Sequence, residues 1–411
     1  MPYYFYFFKL LRKAILTVAV VLSALFLMTC ALVAVATTTP VYGDVITGAE
    51  RIEKYLHLLE NKRVGIVANH TSLIGNAHLV DSLLSLKVNV VRIFTPEHGF
   101  RGTADAGERI STEIDIKTGL PLISLYGNRL KPDPGDIEDL DIVIYDIQDV
   151  GARFYTYIST MHYVMEACAE NGIPFLVLDR PNPNGFYVDG PVLDLEYRSF
   201  VGMHPVPVVH GMTIAEYAKM INGEGWLAGG IKADLHYVLC ENYCHNTLYR
   251  LPVRPSPNLQ TQLSIYLYPS LCLFEGTIMS VGRGTHFPFM SFGHPRLFNS
   301  DFQFIPASVE GARNPPLLGE VVNGIDLSGI SEEYLVQRRS LNLDWLLFAY
   351  SNTPGELEFF NGFFSRLTGN SHLRFWIESG MTASEITSSW EQDVADFKKI
   401  RRKYLLYEDF E

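Results

Sequence analysis

The sequence predicts an α/β protein, with a mostly parallel sheet covered on both faces in a first domain and a second domain behind it. Three observations lead there. Between about residues 63 and 209, short apolar runs rich in Val and Ile alternate with amphipathic or polar segments. Almost no polar residue interrupts those runs, which is how strands buried on both faces read. The chain of 411 residues is also long enough for two cores, and the Pro-rich passage from Leu251 to Asn258 is placed to join them. The expected domains are residues 44–254 and 259–411.

The runs are Val64 to Ala68, Val88 to Phe94, Leu122 to Leu125, Ile142 to Tyr145 and Phe175 to Leu178, spaced for helical crossovers. Between the last two, Thr160 to Glu170 brings apolar residues to one side and stops at Asn171-Gly172. Thr213-Ile214-Ala215-Glu216 has a capping-box pattern that opens a helix ending near Asn222-Gly223. At the carboxyl end, Thr382-Ala383-Ser384-Glu385 caps a helix expected from Ser384 to Tyr404. Ile386, Trp390, Val394, Phe397, Ile400 and Tyr404 fall on one face of it, as core residues. No G-x-G-x-x-G follows the first run, so the sheet is Rossmann-like without the dinucleotide fingerprint, and no cofactor is expected.

Residues 1–36 read as a targeting segment. Lys9, Arg12 and Lys13 precede an apolar run from Ala14 to Met28, and Ala34-Val35-Ala36 offers a small-residue cleavage site. The run is short for a membrane span. Leu27-Met28-Thr29-Cys30 loosely matches a lipoprotein box, with Thr29 ill suited before the cysteine. Export to a periplasmic or extracellular location is expected; cleavage, lipidation and an uncleaved anchor stay open, and any membrane contact would run through this segment. Its removal would take away three of 33 basic residues and none of 45 acidic ones, moving the net charge from −12 to −15. Such acidity argues against sequence-independent nucleic-acid binding. Cys168, Cys240, Cys244 and Cys272 are too few for a stapled scaffold, and Cys240-x₃-Cys244-His245 lacks the second ligand pair of a structural zinc site.

Polar residues collect where the apolar runs end. Asn69-His70-Thr71-Ser72 follows the first run, and Glu97-His98-Gly99 with Arg101 follows the second. Asp146 to Arg153 follows the fourth, and Asp179 to Gly185 the fifth. In a parallel sheet these ends share one edge, where ligands bind. Glu97 could donate a proton to a leaving oxygen, with His98 to orient it or to bind a hydroxyl. Asp146 or Asp149 could supply a second carboxylate, or either could cap the following helix. Arg153 and Arg180 suit a substrate carboxylate, or each pairs with a neighbouring Asp. Tyr155 and Tyr157 alternate with Phe154 and Thr156, so one set can face a cleft and stack on a sugar while the other packs inward. A metal held by His70, Glu97, His98 and Asp146 matches no compact ligand motif, which favours metal-free acid–base chemistry. G-x-S-x-G and H-E-x-x-H are both missing from the sequence.

Four of these stretches together resemble a known family: Gly65 to Thr71, Thr95 to Gly99, Tyr145 to Tyr157 and Leu178 to Pro183. The likeness runs on through Tyr268 to Gly276 and Val281 to Thr285. They are similar to the NamZ-type exo-β-N-acetylmuramidases, over essentially all of the chain after the targeting segment. The resemblance implies release of non-reducing-end N-acetylmuramic acid from peptidoglycan fragments. It also implies a smaller α/β domain beside the Rossmann-like one, with the active cleft between them and Glu97 as catalytic acid. The candidate saccharide contacts are then Asn69, His70, Arg101, Arg153, Tyr155, Tyr157, Arg180, Asn182, Glu275 and Arg283. A cleft Arg would answer the lactyl carboxylate, although the likeness does not say which. A non-catalytic muropeptide binder and a metal-dependent cell-wall amidase or deacetylase are the competing readings.

Overall fold

The computed structural model describes residues 42–100 and 113–411; the expected targeting segment and Arg101 lie outside these described residues. Six parallel strands form the central sheet: β1 (Val64–Ala68), β2 (Val90–Thr95), β3 (Pro121–Ser124), β4 (Ile142–Asp146), β5 (Phe175–Leu178) and β6 (Leu235–Val238). Their spatial order is β3-β2-β1-β4-β5-β6, with Glu113–Ile114 antiparallel at the β3 edge. This is the Rossmann order, and the winding reverses between β1 and β4. All five residues of β1 and of β4 are buried, and they pair in register from Val64↔Ile142 to Ala68↔Asp146.

Helices α1 (Leu79–Ser85), α2 (Tyr157–Asn171) and α3 (Ile214–Glu224) lie on the crossovers. From Tyr157 to Cys168 only Tyr163 of α2 escapes burial, so this helix is core nearly all round. Gly172, at φ 68°, closes it in the left-handed conformation that glycine adopts freely. The capping box of α3 forms as the sequence predicts, with Thr213 N donating to Glu216 Oε2 at 2.9 Å.

Strand β6 was not legible as an apolar run. Its His236 and Tyr237 are exposed, Leu235 is half-buried and Val238 is buried, as befits an edge strand.

Beyond α4 (Gln262–Leu271), the chain builds a three-stranded antiparallel sheet from β7 (Ser291–His294), β8 (Phe302–Phe304) and β9 (Val322–Asp326), with β9 central. Short helices follow. The carboxyl-terminal helix expected from Ser384 to Tyr404 is two, Ala383–Ser388 and Glu391–Arg401. The break is tertiary in origin: Trp390 is buried, and its Nε1 donates to Asp189 Oδ1 at 2.9 Å. The segment after it clamps the first half, where Arg401 donates to Gly211 O and Tyr407 OH donates to Asp179 Oδ2 at 2.6 Å. One apolar cluster accordingly runs from Val67 through α2 and α4 to Phe397. No described helix is long and apolar enough to cross a membrane.

Candidate active site

A cleft of about 910 Å³ opens where the strand ends meet the second half of the chain. Glu97, His98, Tyr126, Tyr155 and Thr156 line one wall. Tyr268, Glu275, Arg283 and Phe289 line the other, and the segment from Arg313 to Leu317 borders it.

Glu97 reaches the cleft because of the turn that ends β2. Pro96 stops the strand, Gly99 N donates back to Pro96 O at 3.0 Å, and His98 and Gly99 both take positive φ, 68° and 69°. A non-glycine residue rarely adopts that conformation, and it costs about 1 kcal/mol or more. Glu97 is half-buried, and its Oε2 accepts a hydrogen bond from Thr156 Oγ1 at 2.9 Å. Thr156 immediately precedes α2, so a long buried helix fixes the donor. Removing this bond with Thr156→Val should lower kcat by about tenfold and leave KM nearly unchanged, as loss of one positioning hydrogen bond worth about 1.4 kcal/mol predicts. A raised KM at constant kcat would assign Thr156 to substrate binding instead.

Most other polar strand-end residues serve the fold. Asp146, a candidate second carboxylate, is fully buried and clasped by Arg180, Nε to Oδ1 at 2.6 Å and Nη2 to Oδ2 at 2.9 Å. Arg180 thus pairs with an Asp across the sheet, and its sequence neighbour Asp179 caps α3 by accepting from Ala215 N at 2.9 Å. Neither Asp146 nor Arg180 lines the cleft. Arg153 is also withdrawn: its Nη groups donate to the carbonyls of Pro191, Val206, Leu367 and Thr368. Asn69 closes the turn after β1 by accepting from Thr71 N and Oγ1, and Asn182 bridges Asn184 N and Met212 O. Both are buried away from the cleft.

The Pro-rich connection is held rather than loose. His70 Nε2 bonds Arg254 O at 2.8 Å, while Tyr155 and Tyr157 both donate to Pro255 O, at 2.9 and 3.4 Å. Tyr155 still lines the cleft; Tyr157 and His70 do not. Burial lowers the His70 pKa, which favours the neutral ring.

Asp149 lies buried outside the cleft, with Oδ1 accepting from Gly151 N at 2.7 Å. Burial pushes its pKa from 3.8 up to about 7, against the opposing pull of backbone N–H groups. The folded state then holds a proton that the unfolded chain has lost between about pH 4 and 7, so charging Asp149 costs stability as pH rises through that window. Asp149→Asn should therefore gain stability relative to wild type between about pH 4 and 8. Melting curves at both ends check this, and a constant difference would contradict it.

Of the suggested metal set, Asp146 is closed off by Arg180. Among the described residues, no three His, Cys, Asp or Glu side chains group so as to hold a metal ion. His245 of the C-x₃-C-H segment turns to Glu216, Nε2 to Oε1 at 3.0 Å.

The second wall is built on two tight turns. Glu275 sits in the helical turn Cys272–Gly276 after α4, and Arg283 lies between Gly282 and Gly284, both at positive φ. A Cβ on Gly282 would lie 2.5 Å from Ser291 Oγ, so the turn needs glycine there. Arg283 Nε donates to Glu275 Oε1 at 2.6 Å, and its guanidinium lies 5.0 Å from the Phe289 ring centre. Edge-on ring contacts run from Phe289 to Tyr268 to Tyr155 to Tyr157, joining the two walls beneath the cleft. Thr156, Tyr126, Tyr268, Phe289 and Arg313 were not singled out from the sequence. Thr156 could have been, since it alternates with Tyr155 and Tyr157 just before a helix.

Two family profiles, both described as exo-beta-N-acetylmuramidase NamZ, match the chain: the N-terminal one over residues 64–263 and the C-terminal one over residues 266–407. The chain belongs to the NamZ exo-β-N-acetylmuramidase family. The peptidoglycan β-N-acetylmuramidase NamZ of Bacillus subtilis (strain 168) is 39% identical over 374 residues, covering 86% of this chain and 89% of that protein. Two DUF1343 family crystal structures from Bacteroides fragilis NCTC 9343 share the fold, with TM-scores of 0.83 and 0.70 at 49% and 30% identity. Each match covers 89% of this chain and 99% of the other. The NamZ motifs are thus split by role. Glu97, His98, Tyr155, Glu275 and Arg283 face the cleft, and Asn69, Asp146, Arg153, Arg180 and Asn182 build the frame behind it.

Proposed function

We propose that the protein removes non-reducing-end N-acetylmuramic acid from peptidoglycan fragments by hydrolysis, with Glu97 as the general acid. One observation carries the residue: of Glu97, Asp146, Asp149 and Asp179, the acids following β2, β4 and β5 or ending them, Glu97 alone lines the cleft. Its protonated carboxyl transfers the proton to the glycosidic oxygen as the bond from that oxygen to C1 breaks. A water forms the new bond from its oxygen to C1 and gives up one proton, so the products are two hydroxyl-bearing sugars and the Glu97 carboxyl is restored for the next turnover. Thr156 fixes one carboxylate oxygen, and Tyr126, Phe200 and Phe363 offer ring faces for the sugars. The basic-then-apolar segment before residue 36 and the cell-wall substrate both support action outside the cytoplasm.

Incubation with the N-acetylmuramic acid–N-acetylglucosamine disaccharide, with and without chelator, tests this function. Free N-acetylmuramic acid in both arms supports it. Retention of the intact disaccharide would mark a binder, and chelator-sensitive release of acetate a deacetylase.

A further inference from the structure

N-acetylmuramic acid differs from N-acetylglucosamine only by a lactyl ether on O3, which ends in a carboxylate. An enzyme selective for it needs a cation inside the cleft, with donors left over for a second partner. Among the described arginines, Arg153 is sealed against four carbonyls and Arg180 is clasped by Asp146, so neither answers. Arg313 lies on the exposed border, where water weakens an ion pair. Arg283 is recessed in the wall, with a side chain 17% exposed, and only its Nε is used, on Glu275. Among the described residues, neither of its Nη groups hydrogen-bonds to protein, and neither is buried without a partner. The Phe289 face beneath it fixes the guanidinium plane from the other side.

We infer that Arg283 is the specificity-determining residue of the cleft. Its two Nη groups grip the lactyl carboxylate of the substrate, and Glu275 and Phe289 hold the fork in place. A guanidinium has five N–H donors, so one bond to Glu275 leaves a full bidentate edge for the ligand. Glu275 is on this account a positioning residue. The inference rests on the proposed activity, naming which group of the sugar is read and by what.

The test compares a chromogenic muramic acid glycoside with its twin in which the lactyl acid is a neutral amide. Wild type should prefer the acid by about 100-fold in kcat/KM, the scale of a charge-assisted bidentate pair. Arg283→Gln should lose most of that preference, by falling at least about tenfold further on the acid than on the amide. Arg283→Lys, which keeps the charge and loses the fork, should lie between the two. A preference that survives Arg283→Gln, an equal loss on both substrates, or no preference in wild type would overturn the assignment. Calorimetry with N-acetylmuramic acid and N-acetylglucosamine needs no turnover, so it separates the two ideas. Arg283-dependent selectivity in binding without hydrolysis would sink the glycosidase reading and keep this one. Hydrolysis with binding indifferent to Arg283 would do the reverse.

Discussion

Glu97→Gln should lower turnover of the N-acetylmuramic acid–N-acetylglucosamine disaccharide by about 10³-fold, within the range for loss of one positioned general acid. The amide keeps the size of the side chain and a partner for Thr156 Oγ1, so the turn after β2 is preserved. Stability should change by no more than about 0.5 kcal/mol, because Glu97 is only half-buried and packs no core. The leaving group gives a sharper signature. A nitrophenolate departs without needing a proton, so the variant should retain far more activity on a nitrophenyl muramic acid glycoside than on the disaccharide. Equal losses on both substrates would point to a binding or electrostatic role. Near-normal turnover of both would remove Glu97 from the chemistry.

The second large effect falls on stability. Arg180→Met should destabilise the protein by about 3–5 kcal/mol, the cost of leaving a buried charge without its partner. Asp146 is fully buried and Arg180 nearly so, and both oxygens of the carboxylate are held by the guanidinium. Arg180 also donates to Leu73 O at 3.0 Å, so the same side chain ties the segment after β1 to the end of β4. Replacing both partners with apolar residues of similar volume should recover much of the loss, because the desolvated charge then disappears with its partner. Denaturant titration reads both variants. A loss below about 1 kcal/mol for Arg180→Met would show that water reaches Asp146 and that the pair is not structural.

What the sequence reveals here follows physical rules. The inner strands were legible because burial on both faces forbids polar interruptions, as in Val64–Ala68 and Ile142–Asp146. Edge strand Leu235–Val238 obeys no such rule, and strand Val322–Asp326 carries Asn323 and Gly324 at its centre. The interruption of the last helix at Trp390 depends on Asp189, two hundred residues away, which local periodicity cannot register.

For the site, polar residues at strand ends had two uses that look alike in one dimension. Some face the ligand, while others satisfy buried backbone where strands terminate. Asn69, Arg153 and Asn182 are of the second kind, and His70 and Tyr157 pin the connection at Arg254 and Pro255. Glu97 was legible because a Pro before it and a Gly after it mark a turn at the edge where ligands bind. Its hold on Thr156 and the selection of Arg283 over other arginines required three dimensions.

The most direct test of the central claim is the product course on the tetrasaccharide that begins with N-acetylmuramic acid at its non-reducing end and alternates with N-acetylglucosamine. An exo-acting muramidase with its acid at Glu97 releases a single N-acetylmuramic acid and then stops, because N-acetylglucosamine now occupies the end. The trisaccharide accumulates, and Glu97→Gln yields almost none of it. Disaccharide products, or single-sugar release undiminished in the variant, would contradict the account.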